Sequence, residues 1–286
     1  MILAAPALVP HRDPLGAARI RGLVDAAADA GFEGMSIWTA HHDWAVADGA
    51  GAEDFFDWHR ERGLTMPAAE VVLDWAPADP AAVADSCGHL LDVAARAGSR
   101  TVIAVTLDPK PPEIGRAVAG LRALCELAAD RGLAVSFEFL PWTGVPTIAA
   151  VRDLIEATDR ENLGLVLDAW HWFRQPGGPD LATLLAFPAE RIHVLQLDDA
   201  PARAAADLPL ETSTARLLPG EGDVDLLGLL AAVAATGASP LVVSEVFSLP
   251  LAELDPGENA RRQYAAAAAL MTRHREAAAA AGARSL

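Results

Sequence analysis

Positive charge is in short supply: 22 Lys plus Arg stand against 39 Asp plus Glu, a formal net charge of −17 over 286 residues. A field of that sign repels a phosphate backbone, which excludes nucleic acid as a partner. Cysteine is scarcer still. Cys87 and Cys125 are the only two; both fall in stretches of helical pattern, without metal-site spacing or the density of a disulfide scaffold, and read as buried thiols. No run approaches the roughly 18 apolar residues of a membrane span. Met1–Pro10 is apolar but has neither a basic leader nor a small-residue cleavage site, so a cytoplasmic location is expected. No low-complexity linker divides the chain, and no Gly-rich dinucleotide loop follows the first strand-like run.

What is present is core material. Apolar residues make up 52% and charged residues 21%, and the length is near the typical 250 or so of a barrel of eight strand–helix units. The pattern alternates eight times between short β-rich runs and longer stretches of helical period. The runs are Ile2–Val9, Gly34–Thr39, Met66–Asp74, Thr101–Leu107, Ala134–Phe139, Gly164–Leu167, Ile192–Leu197 and Leu241–Val246. Gly88–Ala97 and Ala117–Arg131 typify the helices between them, each with Gly just past its end. Such a sequence can form an open doubly wound sheet or a closed α/β barrel. The polar residues most out of place in apolar runs lie at the C-terminal ends of four consecutive strands, where a (β/α)8 TIM barrel carries its chemistry. The expectation is one barrel domain over 1–286, with 259–286 as the last outer helix and a frayed tail. Ala40–Gly51, with His41, His42 and Trp44, and Asp198–Gly222 read as long rim loops, the histidines as exposed. His193, of opposite parity to Gln196, is expected to face the helices.

Glu138 sits inside Val-Ser-Phe-Glu-Phe, where an acid is costly without a cation or partner. Asp168 ends Gly-Leu-Val-Leu-Asp, and His171 follows at a spacing that turns its ring over the same rim; an Asp here equally caps the next helix. Gln196 and Glu245 occupy matching strand ends. Three carboxylates and an amide oxygen are hard donors, suited to Mn²⁺ first, with Mg²⁺, Co²⁺ or Zn²⁺ as alternatives. A bound hydroxy-ketone would have its carbonyl polarised and its neighbouring C–H acidified. Glu138 and Glu245, on opposite sides of it, could remove and return a proton, giving isomerisation or epimerisation through an enediolate. The same first step serves loss of water. Trp142, Trp170 and Trp172 crowd the rim, where aromatic faces can pack on a sugar.

At these residues the chain resembles the xylose isomerase-like barrel superfamily, in particular the sugar phosphate isomerase/epimerase branch with hydroxypyruvate isomerase, ketose 3-epimerases, inosose dehydratase and 3-dehydroshikimate dehydratase. The segments that carry it are Phe-Glu-Phe around Glu138, Leu-Asp-Ala-Trp-His from Leu167, Gln-Leu-Asp-Asp from Gln196, Leu-Pro-Gly-Glu-Gly-Asp from Leu218 and Ser-Glu-Val-Phe from Ser244. The resemblance implies that Glu138, Asp168, Gln196 and Glu245 are metal ligands and the two glutamates the proton-transfer pair. It makes His171 a substrate-binding residue, sets Arg216 on substrate oxygens, and has Glu221 support the metal shell; Trp142 completes the expected substrate site. Many relatives have His where this chain has Gln196, and Gln there is similar to hydroxypyruvate isomerase-like members. Members of the family are often dimers or tetramers, which implies a homo-oligomer.

The leading expectation is a metal-dependent isomerase or epimerase of a small ketose, hydroxy-keto acid or related sugar, carrying no phosphate because Arg216 is the clearest rim cation. The alternatives are a metal-dependent dehydratase of a keto-polyol or 3-dehydroshikimate-like acid, and a non-catalytic barrel subunit. A DNA-repair nuclease is excluded, since it requires a His-rich zinc cluster and a basic groove.

Overall fold

The computed structural model describes residues 1–5, 13–76 and 80–283. Nine strands are found among them: β1 Leu3–Ala4, β2 Gly34–Met35, β3 Ile37–Trp38, β4 Ala68–Val72, β5 Thr101–Ala104, β6 Ala134–Glu138, β7 Leu163–Asp168, β8 Ile192–Leu197 and β9 Leu241–Ser244. All pairings are parallel. β2 and β3 are two halves of one segment interrupted at Ser36. β2 pairs with β1 and β3 with β4, so this segment joins the two edges of the sheet and closes an eight-membered barrel. Seven of the eight expected strand runs contain the corresponding observed strand, and the sixth, Gly164–Leu167, lies within the longer β7; Pro6–Val9 of the first lies outside the described residues.

A closed parallel barrel buries both faces of each strand, which is why the strands are near-continuous Val, Ile, Leu and Ala rather than alternating. The interior holds Leu3, Ala68, Ile103, Val105, Val166, Val194, Leu241 and Val243, and the larger cluster fills the space between strands and helices. Two free cysteines sit in that outer layer, Cys87 in the helix Pro80–Ala97 and Cys125 in the helix Ile114–Ala129, both buried as expected.

Three regions differ from the sequence reading. Residues 40–51 are mostly helix: Thr39–Ala47 starts directly at the end of β3 and buries Thr39, His41, His42 and Ala45 against the barrel, so neither histidine is exposed. The segment 198–222 contains the helix Leu208–Thr214, whose first turn is capped by Asp207. The last helix is longer than expected, Pro256–Ala283, and its first half is anchored: Asn259, Ala260, Gln263, Ala267 and Leu270 are buried, and Tyr264 packs edge-on to Phe32 with ring centres 5.2 Å apart. Residues 284–286 of the expected tail lie outside the described residues.

His193 is also displaced from its expected place. Leu165 pairs with Ile192 but Val166 pairs with Val194, so β8 carries one extra residue, His193, in a bulge. The bulge reverses the parity and directs the ring across Gly164 of β7 to Ser136 of β6, whose Oγ lies 3.0 Å from His193 Nδ1. A Cβ on Gly164 would meet the imidazole at 2.3 Å; this glycine is there to let the ring pass.

Candidate active site

The strand register delivers four polar side chains to one rim. Glu138 is the last residue of β6, Asp168 the last of β7, and Asp168 pairs directly with Gln196 on β8. Glu245 follows β9, its N–H bonded to the carbonyl of Leu197 at 3.0 Å. All four are buried. Asp168 does two things at once: Oδ1 caps the helix Ala169–Arg174 by accepting from the His171 N–H at 2.7 Å, and Oδ2 accepts from Arg216 Nη1 at 2.7 Å. The cap fixes the first turn of the helix and so aims His171 back at the rim, where Nε2 is 3.1 Å from Glu138 Oε1 and 4.0 Å from Asp168 Oδ1.

Arg216 lies at the middle of this arrangement. Its Nη1 donates to Asp168, to Asp198 and, at 3.0 Å, to Glu245 Oε2, while Nε and Nη2 are held by Thr212. The residue is reached from the 198–222 segment. Antiparallel bridges join Asp199 to Leu217 and Ala215 to Ser248, which pins Arg216 between the ends of β8 and β9. Asp199 also accepts from the N–H groups of Gly220 and Val224, and Arg174 forms a buried pair with Glu211 at 2.7 Å that ties the insertion's helix to the rim.

The electrostatics follow from burial. Glu70, Glu138, Asp168, Asp198 and Glu245 surround one guanidinium. Burial and the neighbouring Asp168 push the Asp198 carboxyl well above the usual range, against the pull of Arg216. Burial, with Glu70 and Glu138 nearby, does the same to Glu245. Asp168 also loses solvation, but Arg216, His171 and the capping N–H outweigh that loss and hold it below the ordinary value. One guanidinium is therefore too little to keep all five acids ionised, and a further cation would be needed to do so. Gln196 supplies the complementary observation: its Nε2 donates to Glu245 Oε1 at 2.8 Å, while its buried Oε1 has no hydrogen-bond partner among the described residues. An unpartnered amide oxygen beside surplus carboxylates fits a hard divalent cation, and Glu138, Asp168 and His171 already bring ligand atoms within 4.8 Å of one another.

Glu138, Trp142, His171, Arg216 and Glu245 line a cavity of about 200 Å³ with Trp38, Glu70, Leu140, Thr212 and Phe247. A larger hollow of about 470 Å³ opens at the opposite mouth, among Arg100, Thr101, His193 and Leu241, but it lacks convergent carboxylates. Among the expected site residues, Glu221 is not brought in: it is exposed in a turn closed by its own N–H to Leu218, because Asp199 draws the Gly220 and Val224 backbone inward and leaves the Glu221 side chain outside. Two acids were missed. Asp198 is fully buried between Arg216 and the N–H of Trp170. Glu70 projects from β4 into the same cavity, with Trp38 Nε1 3.3 Å from its Oε2, and burial lifts its carboxyl to about 7. Its signal was present, since Ala-Ala-Glu-Val-Val is an acid in an apolar strand just as Phe-Glu-Phe is.

Comparison with known proteins agrees with this architecture. The chain is 39% identical over 129 residues to a 3-dehydroshikimate dehydratase of Pseudomonas aeruginosa, a match covering 45% of this chain and 20% of the relative. It is 31% identical over 131 residues to an inosose isomerase of Halalkalibacterium halodurans, covering 44% of each. The aligned stretches thus span less than half of either relative, and the two are enzymes of different reaction classes. The crystal structure of an IOLI protein with a bound zinc atom superposes with a TM-score of 0.82 at 18% identity, covering 96% of this chain and 98% of that one. The family model described as xylose isomerase-like TIM barrel matches residues 24–283, and the chain belongs to that family.

Proposed function

We propose that the protein is a divalent-metal-dependent isomerase or epimerase of a small ketose, hydroxy-keto acid or related sugar. The observation that carries this reading is the presence of Glu138 and Glu245, from β6 and from beyond β9, in the wall of one cavity with Arg216. Glu138, Asp168, Gln196 and Glu245 would hold the ion, Mn²⁺ by the hardness of the set; the zinc in the superposed neighbour supports a divalent cation in general. Such an ion, when bound, polarises a substrate carbonyl and acidifies the adjacent C–H. The chain's own residues do the rest. One glutamate removes the proton and the other returns it, to the opposite face of the same carbon in epimerisation or to the neighbouring carbon in isomerisation. His171, beside Glu138, orients that carboxylate and a substrate hydroxyl. Arg216 steadies the negative charge that develops on the substrate oxygens. Trp38, Trp142, Leu140 and Phe247 offer apolar faces to the sugar's C–H groups and keep water from the enediolate.

Dehydration is the second reading, favoured by Glu70. A carboxyl with a pKa of about 7 is partly protonated at neutral pH, so it can supply the proton that a departing hydroxyl needs. The similarity to the Pseudomonas dehydratase supports the same outcome. Incubating the Mn²⁺-loaded protein with ketoses, inososes and 3-dehydroshikimate in deuterated water separates the readings. Deuterium at a carbon next to the carbonyl with no loss of water supports isomerisation; a product lighter by one water supports the lyase. Failure to exchange or dehydrate any of them, together with failure to bind metal, rejects both in favour of a barrel without catalysis.

A further inference from the structure

Away from the carboxylate site, three metal-ligating side chains meet between the helix Thr39–Ala47 and the helix Pro80–Ala97. His42 Nδ1 lies 2.9 Å from Asp43 Oδ1, and His89 Nε2 lies 2.8 Å from the same oxygen. The three ligand atoms fall within 4.8 Å of one another. The His42 ring is only 7% exposed and fixed, stacked on Phe56 with centres 5.3 Å apart and edge-on to Phe55 at 5.8 Å.

The contacts of His42 bear on where its ring hydrogen sits. Its Nε2 is 3.3 Å from the carbonyl oxygen of Ala52, which can only accept, so a hydrogen bond there requires the tautomer with the hydrogen on Nε2. A neutral ring then has a lone pair on Nδ1, pointed at a carboxylate oxygen that is also an acceptor. Two acceptors at 2.9 Å repel unless a proton or a cation lies between them. An outer ring N–H given to a backbone carbonyl, with the inner nitrogen free for an ion, is the arrangement that orients histidines at metal centres. His89 completes the set from the neighbouring helix. Its side chain is 63% exposed and that of Asp43 44%, which leaves one side open to a water ligand and lets both move. Ligand bonds of about 2.0–2.1 Å in a tetrahedral site put donor atoms roughly 3.3 Å apart; the 2.8–2.9 Å spacings need only a few tenths of an ångström more.

We propose that His42, Asp43 and His89 form a second metal site on the outer surface of the barrel, taking Zn²⁺ or a similar borderline cation through two imidazole nitrogens and one carboxylate oxygen. The chemistry distinguishes it from the rim: imidazole suits zinc, whereas the rim set of carboxylates and an amide oxygen suits harder ions. The site would clamp the helix that follows β3 to the helix that follows β4. It does not depend on the reading of the rim.

The test is zinc titration calorimetry on metal-stripped protein, in the parent and in a Glu138→Gln/Glu245→Gln background that disables the rim. The expected result is one zinc per chain in that background. His89→Ala should weaken it by at least the roughly 10–100-fold that loss of a mere outer-shell partner costs at known sites, and Asp43→Asn should weaken it too. Co²⁺ in place of zinc should give a visible tetrahedral spectrum that His89→Ala abolishes. Circular dichroism checks that each variant folds; His89 is exposed, so its removal leaves the core intact. If the double background does not fold, the same substitution in the parent should lower the zinc stoichiometry by one. Equal zinc affinity and stoichiometry with and without His89, in whichever background folds, would overturn the proposal and leave a protonated histidine paired with Asp43.

Discussion

Replacing Glu70 by Gln tests the electrostatic account of the rim. Glu70 is 8% exposed, and its carboxyl rises from 4.5 to about 7, with burial the largest cause and Glu138 adding to it. A native pKa above the unfolded one means that the folded state holds the proton more tightly. The favourable contribution is therefore complete below about 4.5 and is lost as pH rises through 7. Each unit of difference is worth about 1.4 kcal/mol, so the ionised carboxylate costs the fold about 3 kcal/mol at pH 8. Gln keeps the size and an oxygen for Trp38 Nε1 but cannot ionise. Urea denaturation of metal-stripped parent and Glu70→Gln at pH 4.5, 6 and 8 should give nearly coincident stabilities at the lowest pH. The variant should then become the more stable by up to about 3 kcal/mol at the highest. Saturating Mn²⁺ should narrow the gap, because a cation at the rim offsets the same charge. A difference that does not change with pH, or a variant less stable at pH 8, would refute the reasoning.

Further outcomes follow from other parts of the structure. Arg216→Met should destabilise the metal-stripped protein by roughly 3–5 kcal/mol, since Asp168, Asp198 and Glu245 lose the cation they share; thermal melts with and without Mn²⁺ should show added metal recovering part of the loss. Glu138→Gln and Glu245→Gln should each lower deuterium exchange into substrate by about 10²–10⁴-fold while the far-ultraviolet spectrum stays unchanged. Gly164→Ala should cost about 1–3 kcal/mol through collision with His193, and His193→Ala in the same chain should return much of it, a non-additivity that a double-mutant cycle measures.

The barrel was legible because buried parallel strands must be apolar on both faces, and eight such runs alternate with helical stretches. The rim acids were legible for the same reason: a carboxylate within such a run has to be explained. Glu70 met that criterion but stood on β4, outside the consecutive strand ends β6 to β9 on which the site was read. Asp198 was hidden by its neighbour, since a tandem Asp-Asp past a strand end does not reveal which carboxylate turns inward. His193 was lost to a bulge, which inverts alternation without changing composition. His41 and His42 looked like loop residues because the helix Thr39–Ala47 begins with no turn chemistry and no capping side chain. Glu221 fails as a site residue through backbone geometry alone: the turn it sits in is organised from inside by Asp199.

The positive charge of the rim does not belong to the barrel wall. Strand β4 and the ends of β6, β7, β8 and β9 contribute acids; Arg216 enters on the excursion between β8 and β9 and is fastened there by two short bridges and the hydroxyl of Thr212. Cation and anions are therefore inherited on separable stretches of chain. An exchange of residues 199–217 alone could remove the guanidinium, move it, or substitute a group with different preferences, while every strand and the whole inner core stayed as they are. The buried acids that Arg216 neutralises set the limit on such an exchange: a replacement excursion has to bring its own cation, or a bound ion has to take that place, for the strand ends to stay as they are.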